Sequence, residues 1–181
     1  MLLSHYELLG LVSRGVIHPV DKMAVNSASI DIHLGDTLLL EEEPFGHFES
    51  IIDYRKRTPL NMFTHTMDED GYVLEPGEFV LAQSVEVFNL PNDISAEYKL
   101  KSSMARIGLE HMNAGWCDAG WHGSVLTLEL KNMSRYHAIR IRPGDAIGQM
   151  IFFRHHEVPA NASYAARGRY NGDTEVKGIK K

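Results

Sequence analysis

The sequence is very poor in cysteine, with a single one, Cys117, among 181 residues. One cysteine excludes an intrachain disulfide and any metal site built from two thiolates, which removes the disulfide-framework and Cys-x-x-Cys zinc classes. There is also no signal peptide and no apolar run near the ~18 residues of a membrane span, so we expect a cytoplasmic protein without a membrane segment. A chain of this length can bury ~70% of its unfolded surface, so we expect one domain over residues 1–181.

Basic residues are also few, with 18 Lys and Arg against 24 Asp and Glu and a net charge of -6. This balance argues against nucleic-acid binding, which needs clustered cations. The charge is uneven: residues 30–53 hold seven carboxylates, one of them Glu49, and no Lys or Arg, whereas residues 154–181 hold six basic and three acidic residues. The basic segment suits a small anion such as a nucleotide, and a solvated tail is the alternative.

The N-terminal residues are typical of a short helix. Ser4 is placed as the N-cap and Glu7, three positions later, as its capping-box partner, with Leu3 and Leu8 as a hydrophobic staple. Gly15 supplies the end of the helix.

Most of the remaining sequence shows strand and turn patterns. Residues 29–34 alternate between apolar and polar, and two Pro-Gly turns, at Gly77 and Gly144, are each followed by an apolar run. Further predicted strands are residues 79–84, 85–90, 96–100, 124–130 and 147–153. Many short strands bounded by turns predict a mainly β protein, a barrel or a sandwich, with a short N-terminal helix and few other helices.

Within the predicted strand 124–130, alternation places Leu126, Leu128 and Leu130 on one side and Glu129 on the other. One interpretation is a solvent-facing carboxylate. The other is a general base, because an apolar flank desolvates a carboxylate and raises its pKa toward the useful range.

Two other clusters have similar pairs of interpretations. Lys101, Ser102, Ser103 and Arg106 offer two cations and two hydroxyls within six residues, which suits a phosphate cradle or an ordinary helix cap. Asp118 lies in a stretch with two glycines and two tryptophans, which suits a carboxylate binding ribose hydroxyls beside a stacking aromatic, or a hairpin with two core tryptophans.

A zinc deaminase is disfavoured. That class needs a His-x-Glu and a Pro-Cys-x-x-Cys; His155-His156-Glu157 supplies the first half, but one cysteine cannot supply the second. A cysteine nucleophile is equally unsupported, because Asp118 would disfavour the thiolate of Cys117.

Five segments in order resemble the dCTP deaminase family, within the trimeric dUTP pyrophosphatase (dUTPase) superfamily. They are residues 27–35, 101–106, 114–123 with 128–132, 143–150, and 164–172. The resemblance implies a distorted dUTPase-like β-barrel of jelly-roll type and a homotrimer with active sites between subunits. It also implies zinc-independent deamination of dCTP to dUTP and ammonia, which supplies the dTTP precursor. Mg2+ would arrive on the triphosphate without protein ligands.

The resemblance also implies roles for individual residues. Glu129 would be the general base, with Ser102 and Arg106 ordering the site. Substrate contacts are implied for Lys101, Ser103, Met104, Ala105, Ala114, Asp118, Thr127, Leu128, Gln149, Tyr164, Arg169 and Asp173. Of these, Asp118 would hold the 3'-hydroxyl, and the backbone at Thr127 and Leu128 would read the base. Lys101, Ser103 and Gln149 would contact phosphates, and residues 154–181 would form a C-terminal segment that covers the nucleotide.

The chain also departs from the family pattern. Arg169 stands where lysine is usual, and Asp173 stands where glutamine is usual. Ala114-Gly115-Trp116 resembles bifunctional members, which go on to release pyrophosphate and form dUMP. The alternatives are a dUTP pyrophosphatase without deaminase activity and a non-catalytic nucleotide-binding regulator, and dTTP is a candidate inhibitor.

Overall fold

The computed structural model describes residues 1–43 and 51–180. Glu49 of the acidic stretch and Lys181 of the basic segment lie outside the described residues.

The N-terminal helix, α1 (His5–Ser13), begins as predicted. The backbone N–H and the hydroxyl of Ser4 both donate to Oε2 of Glu7, at 3.0 and 3.2 Å. Leu3 and Leu8 are fully buried, and Gly15 ends the segment with a φ of 70°. The other helices are short: α2 (Ser102–Arg106), α3 (Tyr164–Arg167) and the 3-10 turns Lys22–Ala24 and Ala160–Ala162.

The strands form one large curled antiparallel sheet and a small two-stranded one. They are β1 (Ile17–His18), β2 (Ile30–Glu41), β3 (Met62–Thr66), β4 (Tyr72–Leu74), β5 (Phe79–Asn89), β6 (Ile94–Leu100), β7 (Leu109–Glu110), β8 (Trp116–Cys117), β9 (His122–Asn132), β10 (Ile139–Ile141) and β11 (Ala146–Arg154). The large sheet runs β7-β9-β5-β2-β11-β6-β8, with β1 on β5 and β3 on β2, while β4 pairs with β10. The mainly β prediction is confirmed.

One prediction was wrong: the strands expected at 79–84 and 85–90 are a single strand, β5. The register against β9 shifts between Gln83 and Val87, and the Ser84 hydroxyl bridges the shift by donating to the Glu86 carbonyl at 2.7 Å. No glycine or proline stands there to break the strand, so the irregularity bends the chain without ending it.

Alternation along β9 determines which side chains enter the core. Leu126, Leu128 and Leu130 are buried, as predicted. Glu129 projects from the opposite face, across from Leu81 of β5. Both Pro-Gly turns are confirmed as well, with a φ of 84° at Gly77 and at Gly144. None of the described helices is long and apolar enough to cross a membrane.

Candidate active site around Glu129

A cavity of about 330 Å³ lies over the outer face of β9. Its lining is mainly apolar and aromatic, with Asp118, Glu129, Asp173 and Lys177 as the charged members. The predicted site residues that line it are Ala114, Asp118, Thr127, Glu129, Tyr164 and Asp173. Six residues from four separate stretches of the sequence therefore meet in one cavity, which we call the Glu129 cavity.

The acidity of Glu129 is strongly altered in this cavity. Burial raises the pKa of its carboxyl group from 4.5 to about 7. The side chain keeps 28% of its exposure, while Oε2 is buried and has no hydrogen-bond partner among the described residues. A carboxyl group with a pKa near neutrality can both accept and return a proton at physiological pH, as a general base and acid must.

His111, which no sequence pattern singles out, lies just after β7 and is only 4% exposed. Its Nε2 is 3.4 Å from Oε2 of Glu129, and neither atom has a hydrogen-bond partner in residues 1–43 and 51–180. Burial lowers the pKa of His111 to about 4, so the imidazole is neutral at pH 7. No local signal could have found this residue, because the contact depends on the pairing of β7 with β9.

Asp118 follows β8 at the mouth of the cavity and is exposed. Its Oδ1 accepts a hydrogen bond of 2.8 Å from Nε1 of Trp116, a residue that is 58% exposed. Trp121 is buried instead and stacks on Phe88, with 5.2 Å between ring centroids. Trp116 is thus exposed beside Asp118, whereas Trp121 packs in the core, and the ligand-binding role of this stretch stays a prediction.

The glycines of this stretch serve the fold. A Cβ on Gly115 would lie 2.5 Å from the Tyr98 carbonyl oxygen. Gly120 has a φ of 85°, and a Cβ there would lie 2.9 Å from Oδ1 of Asn92. Both positions require glycine because the backbone packs closely on its neighbours.

The C-terminal segment folds along β9 of its own protomer. The Tyr170 carbonyl accepts from Nε1 of Trp121 at 2.8 Å, and the Val125 N–H donates to the Asp173 carbonyl at 2.9 Å. The Asp173 carboxylate is paired with the Lys180 ammonium, at 2.5 Å to Oδ1 and 2.6 Å to Oδ2. The acid that replaces the usual glutamine is thus neutralised within the segment itself.

The arginines of this segment do not line the Glu129 cavity of the protomer. Arg167 and Arg169 are exposed, and Nε of Arg167 donates to the Asn161 carbonyl at 2.8 Å. Lys177 lines the Glu129 cavity, and neither arginine does. Lys177 is therefore a second candidate that the sequence reasoning did not single out.

A separate cluster contains two of the predicted phosphate contacts. Nζ of Lys101 is 2.6 Å from Oδ2 of Asp31, a contact between residues 70 positions apart. Gln149 of β11 pairs with Asp31 of β2, and Oε1 of Gln149 accepts from the Ser29 hydroxyl at 3.3 Å. This Asp31 cluster consists of Ser29, Asp31, Lys101 and Gln149, and none of these four lines the Glu129 cavity.

The residues of α2 also lie outside that cavity. Nε of Arg106 donates to the Ser102 hydroxyl at 3.3 Å, and both residues are exposed. Ser103 and Ala105 are exposed as well, whereas Met104 packs against the hydrophobic core. Within the described residues, one protomer does not bring Ser102 and Arg106 to the Glu129 cavity.

The backbone expected to read the base lies in β9. Thr127 pairs with Gln83 and Leu128 with Ala82 of β5. The backbone N–H and C=O groups of successive residues point to alternate edges of a strand. Those of Thr127 therefore point to the same edge as those of Val125, whose N–H donates to the C-terminal segment. The role of the Leu128 backbone stays a prediction.

Cys117 is buried, and burial, followed by the charge of Asp118, raises the pKa of its thiol to about 12. A thiol with this pKa is not a nucleophile at neutral pH. His155, the first residue of the His-x-Glu sequence, lies beside a hydroxyl group, with its Nε2 3.0 Å from Oγ of Ser95. Across the described parts of the chain, no group of three or more His, Cys, Asp or Glu side chains could hold a metal ion.

Comparisons with known proteins identify the family of this chain. The model of the family described as dCTP deaminase-like matches residues 2–155. A curated relative named "dCTP deaminase, dUMP-forming" from Methanospirillum hungatei is 36% identical over 156 residues, 84% of this chain and 81% of that protein. A relative with the same name from Acidothermus cellulolyticus is 35% identical over 179 residues, which are 95% of this chain and 91% of that protein.

Solved structures confirm the dUTPase-like fold. The 2'-deoxycytidine 5'-triphosphate deaminase from Agrobacterium tumefaciens matches with a TM-score of 0.66 and 24% identity over 86% of this chain. This chain spans 48% of that longer chain. A mutant dUTPase from phage phi11 of S. aureus matches with a TM-score of 0.50 and 15% identity, over 79% of this chain and 92% of that one.

The family model covers most of the chain, and relatives that are 35 to 36% identical cover more than four fifths of it. The chain therefore belongs to the dCTP deaminase-like family.

Proposed function

We propose that the protein deaminates dCTP by hydrolysis and goes on to form dUMP. The observation that carries the proposal is the Glu129 carboxyl group, held in a mainly apolar cavity with a pKa of about 7. The curated relatives named "dCTP deaminase, dUMP-forming" supply the substrate and the product.

Glu129 would move two protons in the deamination. Its carboxylate takes a proton from water as the water oxygen bonds to C4 of cytosine, and it passes that proton to N3 of the ring. It then takes the remaining hydroxyl proton and delivers it to the amino group, so that the C4–N bond breaks, ammonia leaves and the C4 carbonyl forms. A carboxyl pKa near neutrality suits a group that must both take and return a proton at pH 7.

Formation of dUMP needs a second hydrolysis, in which water attacks the α-phosphorus of dUTP and pyrophosphate leaves. Ala114-Gly115-Trp116 supports this step, because it resembles bifunctional members and because Ala114 and Trp116 both line the Glu129 cavity. Asp118 beside Trp116 is suited to accept a hydrogen bond from the 3'-hydroxyl of the sugar.

The working unit would be a homotrimer with active sites between subunits. The Glu129 cavity has three acidic lining residues and one basic one, which by itself is a poor environment for a triphosphate. Ser102, Arg106 and the Asp31 cluster lie elsewhere on the protomer. A neighbouring copy that presents these residues to the cavity would supply the missing cations and hydroxyls.

Mg2+ would enter with the nucleotide. Mg2+ keeps several waters and is commonly held through substrate phosphates, so the triphosphate would carry it. When bound there, the ion would offset the charge of the triphosphate. Residues 154–181 would cover the nucleotide. Inhibition by dTTP stays a prediction, and so does a cytoplasmic location.

The test is to incubate the protein with dCTP and Mg2+ and to resolve the products. We expect ammonia, dUMP and pyrophosphate. If dUTP forms without pyrophosphate, the protein deaminates dCTP but does not form dUMP. Turnover of dUTP but not dCTP would identify a pyrophosphatase, and binding without turnover a regulator. The variant Glu129→Gln should bind dCTP but not deaminate it, since an amide cannot accept the water proton, and retained deamination would mean that another group is the base.

A further inference from the structure

The contact between His111 and Glu129 joins two groups that the rest of the protein leaves without polar partners. Nε2 of His111 and Oε2 of Glu129 are both buried, have no hydrogen-bond partner among the described residues, and lie 3.4 Å apart. Burying a polar atom without a partner destabilises the fold, and buried polar groups are rarely left unpaired. Two such atoms facing each other would satisfy each other after a small rotation of either side chain.

Packing holds the imidazole in place. The ring of His111 lies against the ring of Tyr98, with 4.4 Å between centroids and 54° between planes. Its backbone N–H donates to Oε1 of Glu110 at 3.0 Å. The next two residues, Met112 and Asn113, have φ values of 33° and 58°, so the chain turns sharply away immediately after the histidine. The imidazole is thus held between β6 and β9 beside the carboxyl group.

The two oxygens of Glu129 have different surroundings. Oε2 is buried beside His111, whereas the side chain as a whole keeps 28% of its exposure and lines the cavity. A donor on Oε2 would restrict rotation of the carboxyl group and keep the other oxygen toward the cavity. An imidazole suits this task because it can donate to the carboxylate from Nε2, or accept from the protonated acid in its other tautomer.

We propose that His111 is a positioning residue for Glu129, which holds Oε2 through Nε2 so that Oε1 faces the attacking water. This inference rests on the proposed function, since it takes Glu129 as the general base. It adds a residue that acts through Glu129 and does not itself touch the substrate.

The decisive variant is His111→Phe, which keeps an aromatic ring against Tyr98 but removes Nε2. We expect kcat for deamination to fall about 10- to 100-fold with KM little changed, because a small displacement of a catalytic group has effects of this size. His111→Gln, which keeps a donor on a side chain of suitable length, should recover most of the loss. His137→Gln, at an exposed histidine, is the matched control and should leave kcat unchanged.

A second measurement separates positioning from a purely structural role. Losing the donor disfavours the carboxylate, so His111→Phe should raise the pH midpoint of kcat, and the Glu129 carboxyl titration followed by 13C NMR should shift upward with it. The other titratable groups facing this pair are Tyr98 of β6, Cys117 and Asp118 at β8, Tyr164 of α3, and Tyr170, Asp173 and Lys177 of the C-terminal segment. None of them is altered in the variant.

The outcomes distinguish this inference from the proposed function. If the wild-type protein releases no ammonia from dCTP, the proposed function fails, and the NMR titration still reports whether His111 controls Glu129. If the wild type is active and His111→Phe keeps both its kcat and its pH midpoint, the positioning role is overturned. A folded variant that loses thermal stability without any shift in titration overturns it as well. Should His111→Phe not fold, His111→Asn, which does not place a donor at the Nε2 position, takes its place with the same expectations.

Discussion

Replacing Glu129 by glutamine should stabilise the protein at alkaline pH while abolishing its activity. The carboxyl pKa rises from 4.5 in the unfolded chain to about 7 in the folded one. The folded state therefore holds the proton more tightly, so this group lowers stability progressively as the pH rises from 4.5 to 7, with no further loss above 7.

The size of the effect follows from the two pKa values. A difference from 4.5 to about 7 corresponds to a destabilisation of about 3 kcal/mol at pH 8 and about 1 kcal/mol at pH 5. The amide of Glu129→Gln carries no charge at either pH. Its stability relative to wild type should thus be about 2 kcal/mol more favourable at pH 8 than at pH 5, and pH-independent effects of the substitution cancel in this difference.

The assay is urea unfolding of wild type and variant at pH 5 and pH 8, at one protein concentration, with Glu157→Gln as a control at an exposed carboxylate. The control should show no gain that depends on pH. An equal gain for Glu129→Gln at both pH values would refute the reasoning, because it would mean that burial does not disfavour the ionised carboxyl group.

Three further predictions concern activity. The kcat/KM for deamination should rise about 10-fold from pH 6 to pH 8, as the ionised fraction of Glu129 rises from about one tenth to about nine tenths; a flat profile measured with dCTP would contradict this. Asp118→Ala should weaken dCTP binding by about 10- to 100-fold in calorimetry through loss of a charged acceptor, whereas Trp116→Phe, which removes only the indole donor to that carboxylate, should weaken it much less. Lys180→Ala should leave the Asp173 carboxylate unpaired beside the cavity and raise KM for dCTP. The double variant Asp173→Lys with Lys180→Asp, which exchanges the two charges, should restore part of the loss. Equal KM values in wild type and both variants would show that the ion pair does not shape the site.

Features that depend on neighbouring residues in the sequence could be predicted well. The capping box of α1 joins Ser4 and Glu7, three positions apart, and alternation along β9 placed Glu129 opposite its leucine neighbours without any tertiary contact. Both kinds of pattern arise from the repeat of a single helix or strand. The error at β5 has the same origin, because a strand that bends through an irregular pairing resembles two strands when its partner β9 is unknown.

Contacts between distant segments could not be predicted. The Lys101–Asp31 pair spans 70 positions, and the contact of His111 with Glu129 depends on the short pairing of β7 with β9. The ion pair between Asp173 and Lys180 lies within one segment, yet its importance comes from where that segment packs. Sequence periodicity carries no information about which strands become neighbours in a sheet.

By itself the sequence determined the mainly β fold, the absence of a two-cysteine zinc site, and a carboxylate facing away from the leucine side of β9. It left open whether the Glu129 carboxyl group is solvated at the surface or partly buried with a raised pKa. Only the tertiary structure decided this, because the pKa of a carboxyl group depends on everything packed around it. Here β8, the C-terminal segment and His111 exclude water from Glu129, and all three lie elsewhere in the sequence.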